Sequence, residues 1–240
     1  MTYCVGLLLN DGMVMLSDTR TNAGLDNIST YRKMFTFEDP GERVVTIMTA
    51  GSLSVSQTTI ARLREAIEDP DATSDTSIML APTLLKVADI VGRMLADVRA
   101  EIDEKLSAMQ GATASMIVAG QRRGGAMRMF LIYPEGNFIE ATEDAPFLQI
   151  GEHKYGKPIL DRVVNPATSL ADAQKAVLLS MDSTLRSNLS VGMPLDLQVI
   201  ERDACRVTLK RRIEAGDPAF RAMSEAWSTA LRDGFQRIVI

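Results

Sequence analysis

The sequence predicts an α+β chain of two packed antiparallel sheets with helices covering both outer faces. Three features carry that expectation. Apolar runs of strand length come in hairpin pairs joined by Gly-rich or Asn/Asp-Gly turns. Long stretches with apolar residues at helical spacing lie between and after those pairs. The first strand is apolar at both its odd and its even positions, which suits a strand buried between two layers.

The order of elements follows from the chain itself. Tyr3-Cys4-Val5-Gly6-Leu7-Leu8-Leu9, the turn Asn10-Asp11-Gly12 and the run to Asp18 form the first hairpin, with Gly supplying the positive φ such turns need. Thr30-Tyr31-Arg32-Lys33-Met34-Phe35 brings a basic pair into a third apolar run. Arg43 to Ala50 reads as a buried strand ending at Gly51, bounded upstream by Asp39-Pro40-Gly41. Ser52 then opens a helix marked by Leu53, Ile60, Leu63 and Ile67, which Asp69-Pro70-Asp71 ends. The longest helical pattern runs from about Ala81 to Met109, with a broad apolar face from Leu84 to Leu106. Thr113–Gly120 and Ala126–Tyr133 make a second hairpin around Arg122-Arg123-Gly124-Gly125, whose arginines read as solvated tip charge or as a binding patch. Phe138-Ile139-Glu140 is a short strand, and Gln149-Ile150-Gly151-Glu152 leads to a short helix near Tyr155. Ser169 to Arg186 is helical, with Ser169 and Asp172 resembling a capping box. Leu195–Ile200 and Arg206–Arg212 make a third hairpin. Asp217-Pro218 starts a last helix whose stripe, Phe220, Met223, Trp227 and Leu231, reads as core or subunit contact.

Composition narrows the function. At 240 residues with no marked linker, the chain is expected to form one domain over residues 1–240. It is 46% hydrophobic and 24% charged, an ordinary soluble composition. A net charge of −5 gives no basic footprint for nucleic acid. No apolar run is long enough to span a bilayer and no signal peptide is visible, so a cytoplasmic protein without a membrane partner is expected. Two cysteines, Cys4 and Cys205, suggest a reducing compartment, and the single histidine, His153, excludes a His-rich metal site. There is no Gly-rich phosphate loop; neither cofactor nor metal is expected.

The chemistry points to the N-terminus. Were Met1 removed, Thr2 would carry a free α-amine and a hydroxyl on one residue, a nucleophile with its own base. The α-amine has a reference pKa of roughly 7.7–8.0, so a nearby ammonium makes it a usable base at neutral pH. Lys33 is the candidate ammonium, and Asp18 the carboxylate that holds it and balances its charge. The strand–Gly51–helix junction exposes N–H groups at a helix N-terminus, a place to stabilise negative charge, or else is a tight turn in which Gly serves backbone geometry alone. Cys4 reads as a core residue or, alternatively, as a nucleophile.

Thr2-Tyr3-Cys4-Val5-Gly6, Ser17-Asp18-Thr19-Arg20-Thr21, Arg32-Lys33 and Met48-Thr49-Ala50-Gly51 together resemble, in order and spacing, the N-terminal motifs of proteasome-type threonine peptidases, and among them the bacterial Anbu (ancestral β-subunit) branch. The resemblance is close over about the first 51 residues and looser beyond. It implies the αββα fold of the N-terminal-nucleophile hydrolases, with Thr2 as nucleophile, Asp18 and Lys33 as its partners and the Gly51 N–H as oxyanion donor. It also implies peptide or unfolded-protein substrates and self-association into a homo-oligomeric ring or ring-like assembly. Two departures stand out. The family's supporting Ser-Gly segment is replaced by Ile150-Gly151-Glu152, and its Asp-x-x-Ser-Gly turn by Ser187-Asn188-Leu189-Ser190-Val191-Gly192, with Ser190 at the serine-like position. Ser190 reads equally as a plain loop serine. A hydrolase of small amides and a non-catalytic assembly subunit of the same fold stay open as alternatives.

Overall fold

The structure, a computed structural model, describes residues 1–22, 28–106 and 112–239. Its elements are β1 (Tyr3–Leu9), β2 (Gly12–Asp18), β3 (Arg20–Asn22), β4 (Ile28–Thr30), β5 (Met34–Asp39), β6 (Arg43–Gly51), α1 (Leu53–Glu68), α2 (Leu84–Leu106), β7 (Ala114–Arg122), β8 (Arg128–Ile132), β9 (Phe138–Glu140), β10 (Phe147–Gly151), α3 (Lys157–Val163), α4 (Leu170–Ser187), β11 (Leu195–Glu201), β12 (Leu209–Ile213) and α5 (Pro218–Arg237). One antiparallel sheet has the order β10-β1-β2-β11-β12 and the other β5-β6-β7-β8-β9, with β3 and β4 as a separate ribbon.

Strand alternation distributes side chains into three apolar layers, which makes the architecture a four-layer αββα sandwich. On β1, Tyr3, Val5, Leu7 and Leu9 face α3 and α4, while Cys4 faces the other sheet. On β6, Val45 and Ile47 face α1 and α2, while Val44, Met48 and Ala50 face inward. This is the physical reason the first strand is apolar on both faces. The layer between the sheets is rich in methionine, with Met13, Met15, Met34, Met48, Met127 and Met129, whose unbranched side chains fill irregular gaps. Among the polar contacts that cross it, Gln198 donates to the Thr46 hydroxyl at 2.7 Å and accepts from the Thr36 hydroxyl at 2.8 Å.

Local expectations hold at most boundaries, and the differences have causes. The long helix begins at Leu84 instead of Ala81. Pro82 disfavours helical backbone at the residue before it, and the Thr83 hydroxyl caps the helix by accepting the Lys86 N–H at 3.1 Å. The expected end of that helix beyond Leu106 lies outside the described residues. Ser169 and Asp217 cap α4 and α5 as their sequences suggest, accepting the N–H groups of Asp172 and Phe220. The helix expected near Tyr155 starts at Lys157, and the segment before it, Phe147–Gly151, is a strand paired with β1.

Candidate active site

The site is assembled where β1 begins, β2 ends and β6 meets α1. The β1–β2 register sets Cys4 opposite Ser17, so Asp18 falls beside the first residues of β1. Asp18 is fully buried and accepts three hydrogen bonds. Tyr3 N–H donates to Oδ1 at 3.1 Å, Gly192 N–H to Oδ2 at 3.2 Å, and Lys33 Nζ to Oδ1 at 2.8 Å. Lys33 is 4% exposed and also donates to the Arg20 carbonyl at 2.5 Å. Burial pushes the Asp18 carboxyl up from its ordinary value, against the Lys33 ammonium and the two N–H donors, which pull it down.

Thr2 sits at the mouth of this pair, 8% exposed. Its carbonyl accepts the Glu152 N–H at 2.7 Å. Gly151, with φ +81°, passes so close that a Cβ there would overlap the Thr2 carbonyl oxygen. Gly51, with φ +102°, ends β6 where a Cβ would overlap the Thr113 carbonyl oxygen and come within 2.9 Å of Ala114 Cα. Both positions therefore require glycine. Thr2, Lys33 and Gly51 line a single cavity of about 250 Å³, together with Thr21, Thr49, Ala50, Leu53 and Ser56. Met1 lies over it, 62% exposed, and burial followed by the Lys33 ammonium holds its α-amine below the usual 8.0, with Asp18 opposing. The N-terminal amine is thus already in the field of the Asp18–Lys33 pair.

Four of the five residues singled out from sequence come together; Ser190 does not line the cavity. It belongs to the turn after α4, where its N–H donates to Asn188 Oδ1 at 2.9 Å. Two residues that sequence reasoning passed over do the local work. Asn188 Nδ2 donates to the buried Glu152 carboxylate at 3.1 Å, and Gly192 supplies the second backbone donor to Asp18. Cys4 is fully buried, donates weakly to the Thr49 carbonyl at 3.7 Å, and has its thiol pushed well up by burial, the state of a core cysteine. His153 is exposed beside the Gly151 carbonyl, outside the cavity. Among the described residues no group of three or more His, Cys, Asp or Glu is placed to hold a metal.

The sequence profile of the proteasome-subunit family matches residues 2–200. Among curated proteins nothing matches the chain. Among solved structures, Anbu from Hyphomicrobium sp. strain MC1 is 46% identical with a TM-score of 0.92, over 99% of this chain and 98% of that one. Anbu (ancestral β-subunit) from Yersinia bercovieri is 39% identical, TM-score 0.92, over 99% and 98%. The Anbu complex of Pseudomonas aeruginosa, described as a helical assembly, is 43% identical, TM-score 0.92, over 99% and 97%. With motif order, αββα architecture and near-complete coverage in agreement, the chain belongs to the proteasome-subunit family, in its bacterial Anbu branch.

Proposed function

We propose that the chain is an N-terminal threonine hydrolase that cleaves peptide bonds through an acyl-enzyme on Thr2 once Met1 has been removed. The observation that carries this reading is the convergence of Thr2, Lys33 and Gly51 on one cavity, with Asp18 buried behind Lys33. Removing Met1 would move the free amine one residue along, onto Thr2 itself. That amine, kept neutral by burial and by the Lys33 ammonium, takes the proton from the Thr2 hydroxyl, directly or through a water. The hydroxyl oxygen attacks the substrate carbonyl, the oxyanion is met by the Gly51 N–H, and the amine returns the proton to the leaving nitrogen. Water then attacks the ester by the same base and frees Thr2. Losing one such oxyanion donor costs about 10²–10³ in rate.

Self-association into a homo-oligomer belongs to the same proposal. The helical assembly described for the Pseudomonas aeruginosa relative supports it, as does the outer face of α5, where Leu231 is 53% and Phe235 79% exposed. No helix among the described residues is long and apolar enough to cross a membrane, and a cytoplasmic location is part of the proposal. The position of Ser190 outside the cavity favours a second reading, a non-catalytic assembly subunit. Intact-mass and peptide-mapping spectrometry with a threonine-directed electrophile separates the two, with Thr2→Ala as the control. Met1 loss with an adduct on Thr2, absent in the control, is the expected result. Met1 lost and Thr2 unreactive overturns the peptidase reading in favour of the assembly subunit.

A further inference from the structure

The cavity beside Thr2 carries two polar groups that the mechanism does not use. Strand alternation sends Thr49 to the face of β6 from which Val45 and Ile47 pack toward α1 and α2. Ser56 lies on the buried side of α1, with Val55, Thr59 and Ile60. Each is 4% exposed, and each lines the cavity together with Thr2, Lys33 and Gly51. The hydroxyls nearest to them in the chain are engaged: Thr59 donates to the Val55 carbonyl at 2.8 Å, and Thr46 accepts from Gln198 at 2.7 Å. Among the described residues the Thr49 and Ser56 hydroxyls make no hydrogen bond, yet neither oxygen is sealed from solvent. Since both residues are otherwise buried, the surface those oxygens keep faces the cavity.

The charge of the lining limits what can enter. Among the described residues lining the cavity, Lys33 alone is charged, and its ammonium is held by Asp18 and the Arg20 carbonyl. A substrate carbonyl placed between the Thr2 hydroxyl and the Gly51 N–H must send its own residue's side chain into the rest of this cavity. Lysine or arginine there meets no carboxylate. Glutamate meets an ammonium already paired with Asp18, so its desolvation is poorly repaid. An apolar side chain strips water from two buried hydroxyls and returns no hydrogen bond. A carboxamide repays both: its oxygen accepts from one hydroxyl and its NH₂ donates to the other. The methylenes behind it meet Ala50 and Leu53. We infer that this cavity holds a glutamine side chain of the substrate, on the acyl side of the cleaved bond, read by the Thr49 and Ser56 hydroxyls. The inference rests on the peptidase reading and names the substrate class of that site.

Two assays on the assembled protein keep pocket and chemistry apart. Labelled product-like peptides ending in glutamine, methionine, glutamate or lysine are titrated by fluorescence polarisation into Thr2→Ala, which reads the pocket without turnover. Fluorogenic peptides with the same series before the scissile bond are offered to the native protein. Glutamine should bind, and be cleaved, about tenfold better than methionine, which has its length without its hydrogen bonds, and better than glutamate or lysine. Thr49→Val and Ser56→Ala, each nearly isosteric, should each lower the glutamine-to-methionine ratio about fivefold. Equal binding of methionine, glutamate or lysine, or a ratio unmoved in both variants, overturns the inference. Selective binding of glutamine without cleavage supports the pocket and overturns the peptidase reading; cleavage without preference does the reverse.

Discussion

Replacing Lys33 by methionine keeps the length of the side chain and removes its charge, and the consequence for stability follows from the burial of its partner. The Asp18 carboxylate is fully buried and the ion pair is 2.8 Å long. At an effective dielectric near 20 that separation corresponds to about 6 kcal/mol of attraction, set against the desolvation of both groups. Breaking a buried pair from one side typically costs about 3–5 kcal/mol, because the remaining charge is stranded. Here Asp18 keeps its two backbone donors and can protonate, and its carboxyl is already raised by burial. Without Lys33 it rises further. A carboxyl raised in the folded state means the native protein binds more protons than the unfolded chain between the two pKa values, so stability falls as pH rises through that window. Lys33→Met should therefore lose about 3–5 kcal/mol at pH 8 and distinctly less at pH 5. The pair Asp18→Asn with Lys33→Met should lose less than Lys33→Met alone at pH 8. Urea unfolding followed by circular dichroism measures all three. A loss below about 1 kcal/mol at both pH values, or losses that simply add in the double variant, would refute the picture of a stranded buried charge.

Once Met1 is removed the base is the Thr2 amine, one residue along from a Met1 amine that burial and Lys33 already lower; the hydrolysis rate should therefore rise with pH through a midpoint below 8.0, because the base must be neutral. A midpoint at or above 8.0 would show that the lowering seen at the Met1 amine does not carry over to Thr2. Gly151→Ala should lower turnover sharply, since a Cβ there displaces the Thr2 carbonyl and with it the 2.7 Å bond from Glu152 N–H. Steady-state kinetics on the folded variant is the check, and native-like turnover sinks the positioning argument. Ser224→Ala should cost about 1–3 kcal/mol, because the Ser224 hydroxyl donates at 2.7 Å to the buried Asp182 Oδ1 and ties α5 to α4. For a chain of this size that is a fall in Tm of about 2–4 °C per kcal/mol, and an unchanged melting curve would show the contact to be dispensable.

How far the site can be read from sequence depends on how its contacts are made. Asp18 lies near Thr2 because a tight turn closes a local hairpin and sets its register, information contained within the first 18 residues. Both outer helical layers are legible because α1, α2 and α4 carry apolar stripes, and α2 and α4 open with capping hydroxyls at Thr83 and Ser169. Lys33 is different. Its approach to Asp18 depends on how the segment after β4 crosses to the second sheet, and only the family resemblance supplies that. The strand β10 leaves little trace because it is short, its partner β1 lies more than 140 residues away, and strand preference is set by such neighbours more than by the residues themselves. Ser190 illustrates the limit of motif transfer. The expectation there was a hydroxyl, yet the group that reaches the buried carboxylate from this turn is the main-chain N–H of Gly192, which every residue but proline possesses. The same holds on the opposite side of Thr2, where Gly151 contributes by having no side chain and Glu152 by its backbone. Thr2 is thus held by the Glu152 amide, and Asp18 behind it by the amides of Tyr3 and Gly192. Variation in the side chains around this site should therefore be tolerated better than any change that moves those three amides.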